Sequence, residues 1–181
     1  MIIAYHAIFT NYGTWLPNDP RGSYSKEIYN EQLQLLGKIK YGRQDPQPAH
    51  KELLKFRTAA VPRLRRSPIL LNEKSLLIVA RAFGKVVKRL GLKVPACAIM
   101  SNHVHILILR SQYRIEYLVN QLKGAATKDL KLKQTPWARG CWKVFINDNN
   151  ALLAAIKYIR SNPTSAGLAP QYWDFVTTLH V

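Results

Sequence analysis

Ser101-Asn102-His103-Val104-His105-Ile106-Leu107-Ile108-Leu109 is the stretch on which the fold turns. From Val104 on it is apolar and largely β-branched, apart from His105, and it reads as a strand. Successive side chains of a strand alternate between faces. His103 and His105 therefore point the same way, about 7 Å apart along the chain. Two parallel imidazoles can hold one metal ion. Just upstream, Lys93 to Met100 (KVPACAIM) reads as another strand. Only Ser101-Asn102 separates the two runs, so they form a β-hairpin, although this pair is weaker turn chemistry than Asn-Gly.

On the N-terminal side of the hairpin, Leu76, Leu77, Ala80, Phe83, Gly84, Val87 and Leu90 recur at spacings of three and four. They predict an amphipathic helix, with Asn72 as its N-cap, Glu73 in its first turn and Gly91 as its stop. On the C-terminal side, Arg114 to Lys133 predicts a second amphipathic helix and Cys141 to Ile146 (CWKVFI) a further strand. Asn147 or Asp148 then caps a helix from Asn150 to Ser161, which Pro163 ends, because the residue before a proline avoids helical angles.

The chain opens with Ile2 to Thr10 (IIAYHAIFT), a first strand in which His6 shares a face with Ala4 and Ile8 and is expected to be a satisfied structural residue, with support of the site's ligands from behind, or a DNA contact, as the alternatives. Asn11 to Gly22 is a turn-rich loop carrying Tyr12, Trp15 and Arg21. Residues from about 23 to 71 read as an insertion. Within it, Glu27 to Ile39 predicts one helix and Lys51 to Ala60 a short second one. The order strand, insertion, helix, hairpin, helix, strand, helix implies an α+β sandwich. It is expected as a single domain over 1–181, a small antiparallel sheet with helices against one face.

Charge narrows the function. The 181 residues carry 27 Lys and Arg against 10 Asp and Glu, a net +17. Such an excess points to a polyanion, with nucleic acid first. Cys97 and Cys141 form no CxxC pair, so neither a disulfide framework nor a cysteine zinc site is indicated. No apolar run approaches membrane-spanning length and no leader is visible, so a cytoplasmic, nucleoid-associated protein without membrane contact is expected. Phosphate contacts are expected from Arg63, Arg65 and Arg66, from Lys85, Lys88 and Arg89, and from Lys123, Lys128 and Lys131. Trp15, with Trp137 and Trp142, is a candidate for stacking on bases.

In the last helix Leu152, Ile156 and Ile159 make the core stripe. Tyr158 lies about 200° round from Ile156 and leaves that stripe. Asn162 follows one turn later on the same face. A tyrosine and an amide therefore project together from an anchored helix.

NHVHILI (102–108), followed by YIRSNPTSAGL (158–168), resembles the HUH single-tyrosine transposases, IS200-like, and most nearly the REP-associated tyrosine transposases. The resemblance covers Met100 to Leu168 well, and Tyr5-His6 more loosely. Ser101 stands where that branch has proline. The resemblance implies a ferredoxin-like HUH endonuclease sandwich. It also implies that Tyr158 is the nucleophile forming a covalent phosphotyrosine, and that His103 and His105 are ligands of a divalent metal. The family's third ligand is commonly a glutamine, whose position here is Asn162, one methylene shorter. The family is described with Mg²⁺ or Mn²⁺, and imidazole ligands by themselves favour Mn²⁺, with zinc a further candidate. The implied substrate is single-stranded or hairpin DNA, nicked and rejoined, and relatives form homodimers with shared sites. Two alternatives stand beside this reading: a non-catalytic DNA-binding relative, and a metal-dependent nuclease that uses water.

Overall fold

The first strand, β1 (Ala4–Thr10), alternates as its sequence demands: Tyr5, Ala7 and Phe9 face one way, Ala4, His6 and Ile8 the other. It lies in the middle of a four-stranded sheet of order β2-β3-β1-β4, with β2 (Ala96–Ile99), β3 (His103–Leu109) and β4 (Trp142–Ile146). All three pairings are antiparallel. The hairpin between β2 and β3 is closed by Met100 N–H donating to His103 O at 2.8 Å, so Ser101-Asn102 is the two-residue turn expected.

The computed structural model describes residues 1–179 and divides the chain into two compact units. One comprises Met1–Thr10 and Leu71–Val181, the other Asn11–Leu70.

In the first unit α3 (Glu73–Leu90) and α4 (Ile115–Asp129) cover one face of the sheet. Asn72 Oδ1 accepts from Ser75 N–H at the start of α3, and Gly91 ends it at φ 61°. A left-handed residue there is cheap only for glycine. Phe9, Val104, Ile106 and Ile108 meet Phe83, Val86, Leu118 and Leu122 in one core. Each such fully buried side chain contributes about 1.5–3 kcal/mol. On the opposite face α5 (Asn149–Ser165) packs Leu152, Ile156 and Ile159 on Ala96, Ala98, Met100 and Leu107. Helices therefore lie on both faces, not on one as the sequence suggests. β1, β2 and β3, with apolar residues at both parities, supply both cores, and β4 adds Ile146 to the one under α5.

The chain after α5 wraps the β2 edge. Gln171 pairs with the backbone of Ile99 twice, accepting from its N–H and donating to its carbonyl, both at 2.8 Å. Trp173 and Phe175 then join the α3/α4 core.

The second unit is small. It holds α1 (Glu31–Gln34), α2 (His50–Ala60) and a 3₁₀ turn at Val61–Arg63. Leu16, Leu33 and Ala60 are its buried centre. The single helix expected over 27–39 is one turn only. Asn30 turns its side chain onto Gln32 N–H and donates to Arg63 O, which fixes the start. Gly37 at φ 119° ends any continuation. Two other boundaries move. α4 stops four residues short of Lys133, with Lys131 left-handed at φ 54°. α5 runs through Pro163 to Ser165. Ala166 N–H closes its last turn on Asn162 and Pro163 carbonyls, so the proline removes one bond without ending the helix.

Candidate active site

The register of β1 on β3 pairs Ile8 with His105 and Thr10 with His103. His6, His103 and His105 therefore share the face that α5 covers in part. The rings of His103 and His105 stand 4.8 Å apart, centroid to centroid. Tyr158, projecting from the flank of α5, brings its ring to 5.5 Å from His105 and 6.1 Å from His6, edge-on to both. The tyrosine remains 54% exposed, so its ring is reachable from solvent while its helix is anchored below.

His6 is the residue the sequence undervalues. It is buried, and its Nε2 lies 2.9 Å from Nδ1 of His105. His103 directs its Nδ1 at Asn102 Oδ1, 2.7 Å away. Both candidate ligands thus engage Nδ1 with a neighbour and keep Nε2 as the remaining ring nitrogen. Burial lowers His105 to about 3, helped by His103 and His6, and lowers His6 to about 4. Both rings are neutral at physiological pH, the form in which imidazole binds metals. Asn162 is less committed. Its Nδ2 donates to Tyr158 O of its own helix at 3.4 Å, a long bond.

Among the described residues no group of three or more His, Cys, Asp or Glu side chains is arranged to hold a metal ion. His6 does not serve as a third ligand because its Nε2 faces His105. The donor set fits a divalent cation as a pair of neutral imidazoles with engaged Nδ1 atoms, which oxygen donors would complete.

The structure separates the expected DNA contacts. Lys85, Lys88 and Arg89 lie on α3, and Lys128 follows on α4, across the sheet from the histidines. Lys131 lies just past the Leu130 cap of α4. Lys85 pairs with Asp129 at 2.8 Å, and Arg89 donates to Gln121 at 2.7 Å. Lys123, expected on a basic surface, is instead buried. Its ammonium donates to Ala138 O at 2.9 Å and Gly140 O at 2.5 Å, pinning that loop, and burial lowers it to about 8. Trp137 is likewise interior, donating to Lys123 O, and cannot stack on a base.

In the second unit Arg63 caps α2 by donating to Ala59 O, and Arg66 lies 4.1 Å over the Tyr12 ring. Arg65 is exposed. Trp15 stacks under Arg21 at 3.8 Å and donates to Gly22 O, so one ring face is already taken.

Beside the histidines, the sheet face over β1 and β4 carries Ile8, Trp142 and Val144, none of them buried. Arg139 stands at that end too. It follows Ala138, whose N–H donates to Thr10 O, and Thr10 is the register partner of His103. The sequence offered no signal for Arg139, a lone arginine before a glycine.

The family model described as transposase IS200 like matches residues 50–162. The chain belongs to the IS200-like transposase family. That membership carries a DNA-processing role with it, and the matched stretch contains His103, His105 and Tyr158. Among solved structures, one similar chain is a REP-associated tyrosine transposase bound to a REP hairpin. It is 13% identical, with 92% of this chain and 70% of that one covered and a TM-score of 0.52. At that identity the likeness is one of fold: the antiparallel sheet with its helices. A second, provisionally described as a transposase from Deinococcus radiodurans, is 15% identical over 88% of this chain and 89% of that one, with a TM-score of 0.40. None of the curated proteins matches the chain. No helix of the described residues is long and apolar enough to cross a membrane.

Proposed function

We propose that this IS200-like transposase nicks and rejoins single-stranded DNA next to a hairpin, through a covalent bond to Tyr158. The observation that carries the reading is the meeting of three groups from two elements: His103 and His105 on β3, and an exposed Tyr158 on α5 beside them. The Tyr158 hydroxyl attacks phosphorus, the P–O3′ bond breaks, and the products are a 5′-phosphotyrosine and a free 3′-OH. A 3′-OH attacking the phosphotyrosine reverses the step and joins strands without ATP. His103 and His105, through Nε2, would hold Mg²⁺ or Mn²⁺, with Asn162 as a third donor. When bound, such an ion supplies charge relief at the phosphate oxygens and helps orient them.

The strand would lie over the uncovered part of the histidine face, along Ile8, Trp142 and Val144. Trp142 there offers a ring on which a base can stack, worth about 1–3 kcal/mol. A REP-type hairpin as substrate, a homodimer as the working state, and a place beside the nucleoid all belong to this reading.

The test uses hairpin-flanked single strands labelled at either end, with Mn²⁺. A protein–DNA adduct that survives denaturation is expected, and Tyr158→Phe should abolish it. Cleavage that persists in Tyr158→Phe without an adduct would establish a water-using nuclease instead. Binding without cleavage in the unaltered protein would establish a non-catalytic DNA-binding relative.

A further inference from the structure

We propose that His6 is a positioning residue: by accepting a hydrogen bond from His105 Nδ1–H, it fixes the tautomer of His105 and aims its Nε2 at the candidate metal site. The inference rests on the reading above, in which His105 is a ligand, but it concerns a residue outside the stretch that the family model matches.

His6 and His105 come from different strands and are 99 residues apart in sequence, yet Nε2 and Nδ1 stand 2.9 Å apart, both rings 6% exposed. Their planes are tilted by 37° at a centroid distance of 5.1 Å, so this is an edge contact and not a stack. One nitrogen of the pair must carry the proton. If His6 donates, His105 holds its own proton on Nε2, and that nitrogen cannot bind a cation. If His105 donates, its Nε2 keeps a lone pair. Only the second arrangement makes His105 a ligand. His103 reaches the same end by another route. Asn102 Oδ1 can only accept, so His103 Nδ1 is the donor and Nε2 again keeps the lone pair. Two neighbouring imidazoles thus have Nδ1 engaged by partners of different chemistry. A neutral acceptor behind a ligating imidazole is the usual way a protein fixes its tautomer and ring angle, and losing it typically costs 10–100-fold in metal affinity.

The geometry also explains why the acceptor is a histidine on β1. The strand is fixed between β3 and β4, so its side chains cannot drift. His6 sits diagonally from His105, since Ile8 is the residue directly opposite. A diagonal cross-strand neighbour lies about 7–8 Å away at Cα, which an imidazole on each side spans. The same ring lies edge-on to Tyr158, so it also bounds the place of the nucleophile's ring.

The experiment uses the full chain, free of metal, with ¹⁵N-labelled histidines. Long-range ¹H–¹⁵N correlation near neutral pH reads the tautomer of His105, and calorimetry with Mn²⁺ alone reads affinity. In the unaltered protein Nδ1 of His105 should carry the proton. His6→Leu should give mixed tautomers and bind Mn²⁺ 10–100-fold more weakly. His6→Gln, whose amide oxygen can accept the same hydrogen bond, should restore both readouts to within a few-fold. A proton on Nε2 of His105 in the unaltered protein overturns the inference. So does Mn²⁺ affinity that His6→Leu leaves unchanged, or a loss that His6→Gln fails to rescue while remaining folded. If the unaltered protein binds no Mn²⁺ at all, the metal reading itself fails and takes the inference with it.

Discussion

The basic residues of α3 and α4 lie across the sheet from the histidines, on the wrong layer to reach DNA at Tyr158. This yields a quantitative prediction. α3 packs on the face of the sheet opposite the histidines. At the usual layer spacing of about 10 Å, with side chains reaching about 5 Å beyond on each side, Lys85, Lys88 and Arg89 stand roughly 20 Å from the histidine rings. That is about two Debye lengths at 0.1 M salt. A short single strand seated on the tyrosine cannot touch them. Replacing all three by serine should therefore leave the salt dependence of short-strand binding unchanged. Had they contacted the strand, the slope of log K against log salt would fall by about 0.7 for each, about 2 in all.

The assay is fluorescence anisotropy of a labelled short oligonucleotide across a salt series, without divalent metal. Arg139→Ser is the comparison. Arg139 adjoins the Thr10–His103 end of the sheet, and its loss should lower the slope by about 0.7. A slope that drops by about 2 in the α3 variant, with Arg139→Ser unchanged, would refute the argument. Folding is not at issue, since exposed substitutions of this kind usually change stability by less than about 0.5 kcal/mol.

Gln171→Ala removes both hydrogen bonds to the Ile99 backbone, each worth about 0.5–1.5 kcal/mol. Amide exchange at Ile99 should quicken by about 5- to 150-fold, and unchanged protection would show that the tail is held elsewhere. Ile159→Ala empties a fully buried site under α5 and should cost about 2–5 kcal/mol in urea unfolding without a change in m. Lys123 is lowered to about 8 by burial, so between about pH 8 and 10.5 the unfolded chain holds a proton there that the fold has released. Stability relative to Lys123→Met should rise with pH across that window, by about 1–3 kcal/mol at most, and a fall would mean that the carbonyl acceptors outweigh burial. Asn162→Ala should weaken Mn²⁺ binding in calorimetry by less than His103→Ala or His105→Ala. Equal losses would make the amide a full ligand.

Much of this architecture is legible from local pattern. The hairpin, its HxH pair, α3 with both caps, and the escape of Tyr158 from the α5 stripe follow from periods of two and 3.6 and from capping chemistry. What local pattern lacks is the third dimension. Nothing in the run Leu76 to Leu90 says which face of the sheet it will cover, so its lysines looked like a DNA surface of the site. Lys123 stands one position after Leu122 in a charged segment, and only the loop carbonyls of Ala138 and Gly140 reveal why it is buried. His6 looked structural because its partner is 99 residues away, and the register of β1 on β3 makes the pair. Pro163 misled for a different reason. A proline near a helix end costs one hydrogen bond, and burying its ring, as here, can offset that loss.

The site also depends on what is small. Ala96 and Ala98 face α5 from the edge strand, each about 1% exposed, and Ala98 is the direct cross-strand partner of His105. Alanines there let the helix settle close to the sheet, with Ile156 and Ile159 filling the interval. The closeness matters because Tyr158 leaves α5 from its flank. It can reach the edge of the His105 ring only if the helix sits low and turns that flank toward β1, whereas larger β2 side chains would lift it. The candidate nucleophile and the candidate ligands are thus held by two rigid elements pressed together through small residues. That arrangement fixes distances more tightly than loops could. Accordingly the tyrosine stays solvent-accessible beside two buried histidines. The packing that anchors its helix lies on the other side, and the edges of the His6 and His105 rings bound its own ring, which stays half-exposed.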